Sequence, residues 1–159
     1  MVTKLVSWIR IAYLVVAWLF VVGILGQVFL VSLALLDAQP TWPMHVEFGH
    51  ELIILPLLLV VLSFVGRLPR AARGLTALLF GVALVQAEVF AIVRNAVPLL
   101  AALHPVLALV LFALAVTVAH GARAFLWEPR QASGSPTPES IQERQRGPGA
   151  VESFSGQEK

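Results

Sequence analysis

The sequence contains no cysteine, and charged residues fill only 13% of its 159 positions. Without thiols there is no disulfide framework, no thiolate metal site, no iron–sulfur cluster and no cysteine nucleophile. So few charges cannot build a water-facing surface, since a soluble domain carries roughly a quarter charged residues. Nucleic acid is set aside as a partner for a related reason. Eleven lysines and arginines outnumber nine acids, but the arginines stand at the ends of apolar runs and form no phosphate-binding face. A phosphate-binding glycine loop and an internal repeat are also missing.

What is present is apolar. Hydrophobic residues make up 58% of the chain and its mean hydropathy is +0.86. That excess of apolar area calls for lipid as the solvent. Apolar runs extend over about residues 8–36, 44–65, 75–93 and 99–126. Each is close to or above the roughly 20 residues a helix needs to cross a bilayer. Backbone polar groups cannot go unpaired in hydrocarbon, and runs this continuous lack the alternation of barrel strands. The expected fold is all-α, an antiparallel four-helix transmembrane bundle over residues 1–127. Short connectors rich in proline and glycine separate the spans, which forces neighbours to run antiparallel. The first run follows Lys4 and Arg10 and continues uncharged from Ile11 to Leu36. That exceeds the roughly 7–15 residues of a signal-peptide core, so it reads as a retained span. Residues 128–159 turn abruptly to Ser, Pro, Gly, Gln and Glu, a composition that predicts a disordered tail.

Orientation follows from the basic residues. With the N-terminus inside, Lys4, Arg10, Arg67, Arg70, Arg73, Arg123, Arg130, Arg144, Arg146 and Lys159 are cytoplasmic, and only Arg94 is outside. The positive-inside rule therefore puts both termini in the cytoplasm and the protein in the cytoplasmic (inner) membrane.

Polar residues inside spans are the informative ones, because lipid makes them costly. They are Gln27 on the first span, His45, Glu47, His50 and Glu51 at the start of the second, Gln86 and Glu88 on the third, and His104 and His120 on the fourth. The topology puts His45, His50 and His104 near one level, and His120 roughly 24 Å deeper by helix rise. Two imidazoles from different helices at one depth suit the axial positions of a haem iron. His45 and His50 lie about 140° apart around their helix, so only one of them can face His104. His45 has Gly49 one turn later on its own face, where a macrocycle can approach the backbone, and is the favoured partner. Arg94 is the candidate cation for the haem propionates. Simpler readings stand beside these. Histidines and acids in a helix's first turns suit the headgroup region and the helix dipole. His120, next to Gly121 and Arg123, reads as interfacial. Gln86 and Glu88 can serve as interhelical hydrogen-bonding groups, and Gln27, near Gly23 and Gly26, as a mark of close packing.

The residues His45-Val46-Glu47-Phe48-Gly49, Val85-Gln86 and Leu103-His104-Pro105-Val106 resemble one half of the haem A synthase family, whose members look like two fused four-helix bundles. With the Gly66-to-Arg70 loop, the chain also resembles a family of small uncharacterised bacterial four-helix membrane proteins. The resemblance spans about residues 10–127 and implies that His45 and His104 are axial ligands of haem b. It does not imply synthase chemistry, because only one half is present and Trp42 stands where the synthases carry a functional glutamate.

Two functions of different kinds follow. One is a b-type, bis-histidine subunit for electron transfer or haem handling, with the bilayer as its surroundings and a homodimer or membrane complex as its setting. The other is a non-enzymatic scaffold or accessory subunit whose polar residues are packing contacts. A proton or solute path through Gln27, Gln86 and Glu88 ranks behind both. No catalytic residue is assigned.

Overall fold

The computed structural model describes residues 2–36, 41–89, 92, 97, 99 and 102–127. The chain divides into two compact units, Met1–Leu126 and Trp127–Lys159. The second lies, apart from Trp127, outside the described residues, as do the expected disorder of the tail and Arg94.

The described residues are helical and contain no strand. Helix α1 covers Val2–Leu35, α2 Thr41–Leu52, α3 Ile54–Val65, α4 Arg70–Leu84 and α5 His104–Trp127, with a π-helical turn at Val85–Val89 after α4. Four stretches are long and apolar enough to cross a bilayer: Lys4–Leu35, Thr41–Val65, Arg70–Glu88 and His104–Ala124. This is the architecture of a multi-pass membrane protein. The third helix starts at Arg70, earlier than residue 75, where the apolar run begins, because hydropathy marks the apolar part of a helix and not its first turn. The arginines there are sound helix formers.

The second span is interrupted at Ile53, which separates α2 from α3. Pro56 explains the break. It has no N–H to offer the Leu52 carbonyl, and its ring crowds that carbonyl. The Ile53 N–H instead closes a tighter turn on the His50 carbonyl at 3.2 Å.

The second and third spans are joined by a Schellman turn. The Leu68 N–H reaches back to the Ser63 carbonyl at 3.0 Å, and the Arg67 N–H to that of Phe64 at 3.1 Å. Arg67 takes the left-handed position with φ 51°, where glycine ordinarily sits. Gly66 precedes it for a steric reason: a Cβ there would meet the Leu62 carbonyl oxygen at 2.8 Å. Leu68 then tucks into the core.

The core is a seam of one residue per turn from each span. Tyr13, Ala17, Phe20 and Ile24 of α1 meet Leu59 of α3, Leu79 and Ala83 of α4, and Leu111, Ala115, Val118 and Ala122 of α5. Small residues let the helices approach closely, which is how membrane helices gain packing without a hydrophobic drive between them. Inside the seam the Tyr13 hydroxyl and Thr76 Oγ1 share a buried hydrogen bond of 2.6 Å, and Thr76 also donates to the Ala72 carbonyl. Large apolar side chains such as Leu19, Val22, Leu58 and Leu109 face outward, the arrangement lipid requires.

Contacts between spans define two ends. At one end Arg10 Nε donates to the Gly66 carbonyl, and Trp18 packs edge-on to His120, ring centres 5.4 Å apart, with the Arg123 guanidinium over its face. Gln27, His45, His50, Gln86, Glu88 and His104 gather at the other.

Candidate functional site

The site forms where the last turns of the first and third spans meet the first turns of the second and fourth. Pro43 and Pro105 lie in the opening turns of α2 and α5, where a missing N–H costs no helical hydrogen bond. Each therefore starts its helix just beside the histidine it presents.

His45 and His104 are brought together. Their ring centres are 6.4 Å apart and their planes cross at 76°. His50 points elsewhere, as the 140° separation requires. Its Nδ1 bonds the Val46 carbonyl at 2.8 Å and its Nε2 lies 3.6 Å from Glu88 Oε1. Trp42 lies beside the His45 ring, with centres 5.5 Å apart.

Two glutamines frame the histidine pair. Gln86 Nε2 donates to the His104 main-chain carbonyl at 3.0 Å. Gln86 and Glu88 are two residues apart, yet one reaches the fourth span and the other the second. The widened turn of Val85–Val89 sets both. Such π-turns recur at functional sites, and nothing in the local sequence marks this one. Gln27 lies against Gly49, where a Cβ would stand 3.0 Å from its Nε2. The glycine thus provides room that the Gln27 amide fills. The Gln27 main-chain carbonyl also approaches the His45 ring.

Among the described residues, the buried side-chain polar atoms that lack a hydrogen-bond partner are Gln27 Nε2 and Oε1, His45 Nδ1 and Gln86 Oε1. All four belong to this one cluster. Unpaired polar atoms at membrane depth cost several kcal/mol in hydrocarbon, on the order of the transfer values for amides. Their concentration singles this cluster out among the described residues.

Imidazole–metal bonds of about 2 Å put two rings that share one ion about 6 Å apart, centre to centre, and the observed 6.4 Å agrees. Rotation about each metal–nitrogen bond leaves the angle between the rings free. No group of three or more His, Cys, Asp or Glu side chains among the described residues could hold a metal ion by itself. Two imidazoles alone leave any shared metal in need of further ligands from outside this pair. The four candidate site residues are thus placed as follows. His45 and His104 meet, Gly49 lies one turn along beside Gln27, and Arg94 is outside the described residues. Spacing did not point to Gln27 and Gln86 as framing groups, although both are polar residues within apolar runs.

Residues 27–92 match a protein family of unknown function (DUF6220). The matched segment includes Gln27, His45, Gly49, Gln86 and Glu88 and stops short of His104. No curated protein and no solved structure matches the chain.

Proposed function

We propose that the protein is a b-type cytochrome-like membrane subunit that holds one haem between His45 and His104, for electron transfer or for delivery of haem to a partner. One observation supports this reading: imidazoles from the second and fourth spans lie with ring centres 6.4 Å apart, beside buried glutamine polar atoms that lack a partner. When bound, haem would supply a one-electron couple. The chain's own residues supply the rest. Gln86 anchors the His104 turn through its carbonyl. The Gln27 amide is the group an occupant displaces. Arg94, the only basic residue between Arg73 and Arg123, is the candidate partner for the propionates. The basic connectors favour cytoplasmic termini in the inner membrane, which puts the haem near the outer face.

The absorption spectrum of detergent-purified protein, supplied with haem during expression, tests this. A Soret band that sharpens on reduction, lost in His45→Ala and His104→Ala and kept in His120→Ala, is the expected result. An unchanged spectrum in His104→Ala overturns the assignment. A colourless preparation that carries a stoichiometric membrane partner supports the accessory-subunit reading instead.

A further inference from the structure

We infer that the turn between the second and third spans is a binding site for the phosphate of an anionic phospholipid, formed by Arg67, Arg70 and Arg73 with Arg10 beside them. The argument starts from charge. Among the described residues Lys4, Arg10, Arg67, Arg70, Arg73 and Arg123 all lie toward one end of the bundle. The acids Glu47, Glu51 and Glu88 lie toward the other. None of Arg67, Arg70 and Arg73 has a carboxylate within ion-pair distance among those residues.

Two of the guanidinium groups are fixed in place. Arg73 Nε donates to the Leu68 carbonyl at 2.7 Å and its guanidinium lies over the Phe64 ring, 5.4 Å from the centre. Arg10 Nε donates to the Gly66 carbonyl at 3.3 Å, which brings a fourth charge from the first span onto the same turn. Arg67 and Arg70 are exposed, flanking buried Leu68 in sequence. Much of the ordering entropy of a binding site is therefore already spent in folding.

A guanidinium held at the edge of hydrocarbon without an acid draws its counter-ion from the surroundings. In the headgroup layer that counter-ion is phosphate, which arginine binds through two parallel N–H donors. Several such cations around one turn favour a lipid with net negative charge over a zwitterion. Lysine, a point charge without the planar fork, would be the poorer substitute.

The test uses the full-length protein in bilayers of phosphatidylcholine and phosphatidylglycerol. Spin-labelled versions of each lipid report the motionally restricted fraction by electron paramagnetic resonance. The expected result is a severalfold preference for phosphatidylglycerol, abolished in Arg70→Gln/Arg73→Gln, since one arginine near the surface is worth about fivefold, and only partly restored in Arg70→Lys/Arg73→Lys. Unaltered preference in the glutamine variant overturns the site. Full preference in the lysine variant also overturns it, because diffuse charge would then suffice. A salt titration of the unmodified protein needs no variant: the preference should fall as ionic strength rises, and no preference at low salt refutes the proposal.

Discussion

The main-chain carbonyl of His104 accepts a hydrogen bond from Gln86 Nε2 at 3.0 Å, so a side chain of the third span holds the turn that presents a histidine of the fourth. The opening turn of a helix is otherwise its loosest part. This bond gives the histidine pair a fixed side on the fourth span, and it depends on the π-turn that aims Gln86.

Gln86→Leu removes that anchor. Interhelical hydrogen bonds in membranes are worth about 0.6 kcal/mol on average and about 1.7 at most. The variant should lose stability within that range, read as a lower thermal midpoint by circular dichroism in detergent. If haem is bound, the reduced-minus-oxidised spectrum should also broaden. A variant identical to the parent in both measurements would show that Gln86 anchors nothing.

Glu88→Gln should behave differently, although it is only two residues away. The His50–Glu88 pair is about half exposed and 3.6 Å long, and such pairs contribute roughly 0–1 kcal/mol. The thermal midpoint should therefore barely move. A drop as large as that of Gln86→Leu would mean the pair is far better shielded than its exposure indicates.

Glycine substitutions should divide by what surrounds them. Nothing lies within 4 Å of a Cβ added at Gly74 or Gly81. Alanine there should stabilise by about 0.5–1 kcal/mol through helix propensity. Gly66→Ala drives a methyl into the Leu62 carbonyl, a backbone atom that cannot step aside, and should cost about 1–3 kcal/mol. Thermal unfolding of the three variants side by side checks the order.

Tyr13→Phe removes one side of the buried bond to Thr76. Thr76 keeps the Ala72 carbonyl as a partner, so no donor is stranded and the loss should stay near 1 kcal/mol. Thr76→Val strands the tyrosine hydroxyl in the seam and should cost more. Equal losses would mean that the hydroxyl finds another acceptor.

Arg67→Gly should relieve the left-handed backbone at φ 51° and raise stability by about 1 kcal/mol. Its phosphatidylglycerol preference should fall at the same time. Opposite movements of stability and lipid selectivity would separate a residue kept for its charge from one kept for the fold.

The spans were legible because hydropathy integrates over twenty residues and tolerates local exceptions. The angle per residue allowed only one of His45 and His50 to face His104; Gly49 was the reason for favouring His45, and in the structure that glycine makes room for Gln27. Helix ends were harder. Arg70 to Gly74 read as loop because its charge hides a helical first turn. The break at Ile53 has a visible cause in Pro56, a proline inside an apolar run. The π-turn at Val85–Val89 has none, because it answers to partners on two other helices. Tyr13 and Thr76 are ordinary residues in their own segments and become a pair only once the first and third spans lie side by side. The resemblance to haem-ligating bundles singled out the histidines, included Gln86 without giving it a role and did not reach Gln27.

The break before Pro56 leaves the 12 residues of α2 as a short lever set on an apolar base. That lever carries Trp42, His45, Gly49 and His50 together. This segment is packed on the first span, with Leu52 against Gly23 and Phe48 against Gly26, while Leu59 and Ser63 are buried in the seam below. A change of angle at this one joint would therefore shift all four side chains together.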